Sequence, residues 1–153
     1  MILIIDFGGQ SAHLIGRRLK NLGIEFALCS PKDALGVVNE EKPSGIIFSG
    51  GPASVYEDEA PDVDASIFEV GIPILAICYG WQLMAHKLGG DVKPHAKEYG
   101  KATLQVQSAK FKVQNDTTLN LELWTLNLFK NIPASSQIWQ SHGDSAVSYT
   151  HLT

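Results

Sequence analysis

The residues around Cys78 have the types and spacing of a reactive thiol in a tight turn. Ala76 and Gly80 stand two positions before and two after the cysteine, which is the pattern of a nucleophile elbow between a strand and a helix. A thiol in that turn lies at the amino end of the helix, where unpaired N–H groups and the helix dipole favour the thiolate. A buried cysteine that serves as a small core residue fits the same spacing. The spacing alone leaves both interpretations open.

Two further turns, each directly after an apolar run, contain residues that could take part in catalysis or ligand binding. Residues 49–52 (SGGP) could direct a backbone N–H toward a developing oxyanion, with the N–H of Tyr79 as a second donor, because glycine permits close approach. The same residues also suit an ordinary turn after a strand. Residues 6–10 (DFGGQ) begin with Asp6, which could accept a phosphoryl group, bind a metal ion, or cap the following turn or helix.

The elements that must hold these turns follow from the hydrophobic pattern. Short runs of Ile, Leu and Val lack polar alternation, as expected for strands of a parallel sheet covered by helices on both faces. Stretches with helical features lie between them. The predicted strands are 2–5, 24–28, 45–48 and 72–77, and the predicted helices are near 14–22, 31–41 and 63–70. We therefore predict an α/β fold, doubly wound and flavodoxin-like, whose ligands bind where the strands end.

The pattern changes after Gly90, where polar turns instead of helical stretches separate the apolar segments. We expect these segments to form a mixed or antiparallel extension of the mostly parallel sheet. They are residues 102–107, 111–114, 121–124 and 137–141. Because no linker or repeat divides the sequence, all 153 residues are expected to form a single domain.

Composition excludes several classes of partner. The formal net charge of −4 and the pI near 5.7 provide no broad basic surface, so nucleic acid is not an expected partner. Cys29 and Cys78 are far apart and form no CxxC pair, which argues against a disulfide framework and a zinc site. No basic leader and no apolar run of roughly 20 residues are present, so we expect a cytoplasmic protein without membrane contact.

The ordered set of motifs resembles the class I (triad) glutamine amidotransferases, and specifically the amidotransferase domains of GMP synthetases. The similarity extends over nearly the whole chain. The segments that carry it are 6–10 with 14–18 (LIGRR), 46–56 (IIFSGGPASVY), 77–82 (ICYGWQ), 98–101 (EYGK) and 141–144 (SHGD). Each segment is short, but the ordered set is specific.

The resemblance implies hydrolysis of the side-chain amide of glutamine. The Cys78 thiolate would attack the carbonyl, ammonia would leave, and water would release glutamate from a thioester. By matching positions, the N–H groups of Gly51 and Tyr79 would form the oxyanion hole. The residues implied to bind the substrate are Gly50, Gln82, Ser141, Gly143 and Asp144.

The resemblance also implies a partner. In GMP synthetases the ammonia passes to an ATP-dependent synthetase module, which aminates xanthosine monophosphate (XMP) to GMP. We expect that module in another chain or elsewhere in the gene, with ATP and magnesium bound there and no cofactor in this domain. The alternatives are a non-catalytic glutamine-binding or assembly module and an amidotransferase subunit of another synthase.

The sequence departs from the family where the catalytic triad should be completed. No His-Pro-Glu segment, the family's source of the triad histidine and acid, is present. His142 belongs to the SHGD segment and does not replace it, and no acid-partner motif surrounds His13, His86, His95 or His151.

We therefore expect a domain that is incomplete at the carboxyl end and has little glutaminase activity alone. Residues 147–153 resemble translated adapter sequence, which would make the last residues non-native, and residues 108–127 are longer than the corresponding family segment.

Overall fold

The computed structural model describes residues 1–105, 133 and 135–148. These residues fall into two compact units. The first contains Met1–His95 together with residues 143–148, and the second contains the described residues between Ala96 and His142. Compact units need not be separate folding domains, so the single domain expected from the sequence stays a prediction.

The first unit is built on an alternation of strands and helices. Its helices are short, and each α-helix follows a strand. In chain order the elements are β1 (Ile2–Ile5), α1 (Ser11–Asn21), β2 (Phe26–Cys29), α2 (Ala34–Glu41), β3 (Gly45–Phe48), a 3-10 helix (Ala65–Phe68), β4 (Ile74–Ala76) and α3 (Tyr79–Lys87).

The four strands form a parallel sheet in the order β2-β1-β3-β4. Ile5 lies opposite Cys29 on one side and Phe48 on the other, and Phe48 lies opposite Ala76. The chain leaves β1 toward one edge of the sheet and returns on the other side of β1 as β3. This reversal is the switch point at which doubly wound sheets bind ligands, and it confirms the predicted fold class.

Aromatic packing fixes the loops above the sheet. Phe7 follows β1, and its ring centroid lies 5.5 Å from that of Phe48 and 5.3 Å from that of Tyr79. All three side chains are fully buried, and burial of an aromatic side chain contributes roughly 1.5–3 kcal/mol. The cluster therefore ties the ends of β1 and β3 to the beginning of α3.

The helix predicted near residues 63–70 is shorter than expected and is a 3-10 helix. The Asp64 side chain begins it by accepting a hydrogen bond from the N–H of Ser66. Soon after its end the chain turns at Gly71, which has φ +72°. Short 3-10 turns are a common form of connector between larger elements.

Two long strands follow α3 and pair with each other. They are β5 (Asp91–Gln105) and β6 (Ser135–Ser148). The segments predicted at 102–107 and 137–141 overlap β5 and β6, whereas β5 begins eleven residues before its prediction. The predicted strands 111–114 and 121–124 and the long segment 108–127 lie outside the described residues. Within the described part of the chain, no helix combines the length and apolar character that crossing a membrane requires.

Candidate active site

Cys78 occupies the turn between β4 and α3 in a strained conformation. Its φ is 52° and its ψ is −116°, a region that residues with a side chain rarely adopt. Such a conformation costs of order 1–3 kcal/mol and persists only where the surroundings hold it. The side chain is a free thiol and is exposed. Cys78 is therefore not a buried core residue, and its geometry is that of a nucleophile elbow.

Gly80 allows the helix to approach the sheet closely enough to form this elbow. A Cβ atom at Gly80 would lie 2.5 Å from the Cβ of Phe48 and 2.8 Å from the carbonyl oxygen of Ser49. The N–H of Gly80 donates to that oxygen at 3.1 Å, and the N–H of Ile77 donates to the Phe48 oxygen at 3.0 Å. The elbow is thereby fixed against the carboxyl end of β3, where the SGGP turn begins.

The SGGP turn lies directly beside Cys78. A Cβ built on Gly50 would be 3.4 Å from the Cys78 Cβ. The N–H of Gly50 donates to the Ser11 hydroxyl at 2.9 Å, so this N–H is already used within the protein. Of the two glycines, Gly51 has the N–H that remains the candidate oxyanion donor.

The turn after β1 packs against the SGGP turn across the switch point. A Cβ at Gly9 would lie 2.6 Å from the Gly50 oxygen, and a Cβ at Gly51 would lie 2.6 Å from the Phe7 oxygen. Asp6 accepts a hydrogen bond from the N–H of Gly8 at 2.9 Å. The geometry thus favours the turn-capping interpretation of Asp6, and the described residues contain no group of three or more potential metal ligands.

Tyr79 begins α3, so its N–H has no acceptor within the helix. Its phenol is buried and donates to the Pro61 carbonyl oxygen at 2.5 Å. Burial raises the pKa of this phenol to about 12, with further contributions from Asp62 and Glu57. The side chain is therefore a neutral anchor at neutral pH. It holds the first turn of α3 in place while its backbone N–H stays at the elbow.

Gln82 lies on the following turn of α3 and is buried, in contrast to a residue that faces solvent. Its side-chain Nε2 donates to the backbone oxygen of Asp144 at 2.6 Å. The structure therefore brings together two of the residues implied to bind the substrate. Ser141 and Gly143 lie in the same strand, β6, as Asp144, and their roles in substrate binding stay predictions.

The side chains of His13 and His86 contact groups other than Cys78. His13 is exposed, and its Nε2 lies 4.0 Å from an Asp6 carboxylate oxygen. His86 is exposed and packs edge-on against the Tyr56 ring at 5.5 Å. Both contacts are those of surface and helix-packing residues.

Ser11 is the residue of this site that the sequence pattern did not reveal. It begins α1, and its hydroxyl contacts both the N–H and the carbonyl oxygen of Gly50. The only sequence signal is a small polar residue at the start of a helix, which is commonplace. Its partner lies 39 positions along the chain.

Comparison with known proteins identifies the class to which this fold and site belong. The family model for "Glutamine amidotransferase class-I" matches residues 3–151. The chain belongs to the class I glutamine amidotransferase family, which confirms the resemblance carried by its motifs.

Among similar relatives, the GMP synthase [glutamine-hydrolyzing] of Enterococcus faecalis is 44% identical over 144 residues, covering 94% of this chain and 25% of the relative. The protein of the same name from Ligilactobacillus salivarius is 45% identical over 145 residues, with the same coverage. The chain thus spans about a quarter of the length of these curated relatives.

A solved structure of a protein from Thermoplasma acidophilum, named for a GMP synthase subunit, superposes with a TM-score of 0.71. It is 26% identical in sequence, and the match covers 97% of this chain and 67% of that chain.

Proposed function

We propose that this chain is the glutamine-hydrolysing part of a GMP synthase. The observation that carries the proposal is the exposed, strained Cys78 elbow beside the SGGP turn, in a chain matched over residues 3–151 by the amidotransferase family model. The names of its relatives and of its structural neighbour support the assignment to GMP synthesis.

In the proposed reaction, the Cys78 thiolate attacks the side-chain amide carbon of glutamine. The carbonyl oxygen becomes negatively charged, and the N–H groups of Gly51 and Tyr79 stabilise that charge. Two such donors are the usual composition of an oxyanion hole, and one of them can contribute 10²–10³-fold to the rate. Collapse of the intermediate expels ammonia after protonation of the nitrogen, and water then hydrolyses the thioester to glutamate.

The substrate would be held by the residues that the family resemblance implies for this role. We assign this role to Gln82 and Asp144, together with Ser141, Gly143 and the close approach allowed by Gly50. The hydrogen bond from Gln82 to the Asp144 oxygen supports the pairing of α3 with this end of β6. In this proposal Gln82 orients the strand and leaves the other polar groups of Asp144 available to the substrate.

The ammonia would serve an ATP-dependent synthetase module that aminates XMP to GMP. We propose that ATP and magnesium bind to that module, that this domain needs no cofactor, and that the reaction takes place in the cytoplasm. A separate synthetase chain and a fused one would be served equally well by this chemistry. The structural neighbour, which is named for a subunit, gives a precedent for the separate arrangement.

Selective labelling of the two cysteines tests the glutaminase proposal. A glutamine-analogue chloroketone carries a ketone in place of the amide. The thiolate adds to the ketone carbonyl as it would to the amide; the sulfur then bonds to the adjacent methylene carbon as chloride leaves, and the ketone re-forms. We expect Cys78 to be modified much faster than Cys29, and excess L-glutamine to protect it. Mass spectrometry of tryptic peptides would measure both rates.

Two cysteine variants distinguish a specific glutamine site at Cys78 from non-specific alkylation of thiols. Cys78→Ala should abolish the rapid modification, whereas Cys29→Ala should retain it. Slow and equal modification of the two cysteines, without protection by glutamine, would contradict an activated nucleophile. Glutamine protection without rapid modification would instead indicate a non-catalytic glutamine-binding module.

A further inference from the structure

The Ser11 hydroxyl holds the SGGP turn from the side of α1. It accepts a hydrogen bond from the N–H of Gly50 at 2.9 Å and donates one to the Gly50 carbonyl oxygen at 3.2 Å. Ser49 donates a further hydrogen bond to the same oxygen at 3.1 Å, and its hydroxyl accepts from the N–H of Phe7 at 3.1 Å. Two hydroxyl groups therefore converge on one carbonyl oxygen.

Because the peptide unit is planar, the hydrogen bonds to the Gly50 oxygen also determine the direction of the Gly51 N–H. The Gly50 carbonyl and the Gly51 N–H belong to one planar peptide, and in a trans peptide they point in opposite directions. The structure contains no cis peptide bond in the residues that it describes. Hydroxyl groups that fix the Gly50 oxygen consequently fix the direction of the Gly51 N–H.

Glycine at both positions makes this external restraint important. Neither residue has a side chain that limits rotation of the peptide. A side chain at Gly51 would not fit without a backbone shift, because its Cβ would lie 2.6 Å from the Phe7 oxygen, and a Cβ at Gly50 would make a tight contact of 3.2 Å with the Ser11 oxygen. The turn therefore combines intrinsically free backbone with hydrogen bonds that select one orientation.

We propose that Ser11 is a positioning residue that orients the Gly51 N–H toward the oxyanion formed at Cys78. This inference rests on the proposed glutaminase function, and it adds a residue from α1 to that mechanism. Ser11 itself touches neither substrate nor reacting atoms. Its effect should consequently be confined to reactions in which negative charge develops on a carbonyl oxygen bound in the hole.

The test compares two electrophiles in the Ser11→Ala chain. The glutamine-analogue chloroketone depends on the oxyanion hole, because the thiolate first adds to its ketone carbonyl and negative charge develops on that oxygen. Iodoacetamide instead alkylates the thiolate by direct displacement of iodide, and no oxyanion forms. We expect Ser11→Ala to slow modification of Cys78 by the chloroketone about tenfold, as for loss of one hydrogen bond, and to leave the iodoacetamide rate unchanged.

Two further variants provide controls. Ser11→Thr retains a hydroxyl and should recover most of the chloroketone rate. Ser44→Ala removes a comparable bond, from a serine hydroxyl to the Met1 carbonyl oxygen at 3.0 Å. Ser44 directly precedes β3, at the end of the strand opposite the SGGP turn, so this variant should match the wild-type rates with both reagents.

The outcomes distinguish this inference from the function on which it rests. Ser11→Ala that reacts with the chloroketone at the wild-type rate would overturn the role of Ser11 while preserving the glutaminase proposal. Equal slowing with both reagents would also overturn it, because a general disturbance of the elbow would then be the cause. A wild-type chain that shows no selective modification of Cys78 would overturn the proposed function and this inference together.

Discussion

The surroundings of the two thiols differ although Cys29 is the last residue of a strand and Cys78 follows another strand of the same sheet. Cys78 is exposed in the elbow, whereas Cys29 ends β2 and is half-buried. Burial, with a smaller contribution from the nearby Asp33 carboxylate, raises the pKa of Cys29 to about 11. A thiol with a raised pKa is mostly protonated at neutral pH and is therefore a poor nucleophile.

This pKa predicts a distinct pH dependence for Cys29. Its thiolate fraction is about one in a thousand at pH 8 and increases about tenfold per pH unit until the pH approaches the pKa. The rate of iodoacetamide labelling at Cys29 should follow that increase between pH 8 and pH 10. Asp33→Asn should lower the pKa and accelerate labelling at pH 9, with Glu40→Gln as a control. A rate independent of pH would contradict the prediction.

Among single residues, the sequence predicted the elbow at Cys78 but not the contact made by Ser11, and the reason is physical. An elbow is encoded locally, because small residues at fixed spacing allow the turn. The role of Ser11 depends on contacts with Gly50, which is distant in sequence and becomes a neighbour only when β1 and β3 pair. A serine at that position does not by itself indicate a contact with Gly50.

Because α3 packs closely against β3, an added methyl group at Gly80 is expected to lower the free energy of unfolding. Gly80→Ala would place a Cβ 2.5 Å from that of Phe48 and close to backbone oxygens. Because backbone cannot move aside easily, we expect the free energy of unfolding to fall by about 1–3 kcal/mol. Urea denaturation would measure it. Gly36→Ala, in α2 with no atom within 4 Å of the new Cβ, should instead stabilise by about 0.4–1 kcal/mol.

The end of α2 contains a second strained residue. Lys42 has φ 45° and ψ 60°, the left-handed conformation that glycine adopts without steric cost at helix ends. Lys42→Gly should raise the free energy of unfolding by about 0.5–1 kcal/mol, after the greater freedom of glycine in the unfolded chain is included. Lys20→Gly, within α1, should lower it by a similar amount. Thermal unfolding would measure both variants, and destabilisation by Lys42→Gly as well as by Lys20→Gly would contradict backbone strain at Lys42.

The elements differ in how well local sequence predicts them. The four parallel strands were predictable because burial on both faces requires continuous apolar runs. The 3-10 helix was predicted as a longer helix because its apolar residues do not reveal where Asp64 and Gly71 limit it. Most of β5 was missed because its mixed polarity includes Pro94 and Gly100, and its partner β6 lies far along the chain.

The whole chain combines an assembled elbow with an incomplete set of triad motifs. Its 153 residues contain no His-Pro-Glu segment, and positioned proton transfer contributes roughly 10²–10⁴-fold to catalysis. We expect the 153-residue polypeptide to release glutamate more slowly than complete amidotransferases by a factor in that range. A coupled glutamate dehydrogenase assay would measure the rate, with Cys78→Ala as the background. Release at the rate of a complete enzyme would contradict the prediction.

The outer strand β4 carries exposed apolar side chains that predict self-association of the molecule in solution. In the part of the chain that the structure describes, β4 pairs only with β3 and has no strand partner on its other side. Leu75 and Ile77 alternate onto one face there and are 42% and 38% exposed. An open strand edge with apolar side chains promotes association between chains.

We therefore expect the 153-residue polypeptide to self-associate as its concentration increases, and Leu75→Lys to reduce this association. Sedimentation velocity over a range of concentrations would measure both effects. Leu14→Lys is a matched control, because Leu14 is 58% exposed but lies on α1, away from β4. Equal reduction by the two variants would attribute the association to general hydrophobicity and contradict a role for the strand edge. A specific effect of Leu75→Lys would instead indicate that this edge is the surface through which the chains meet.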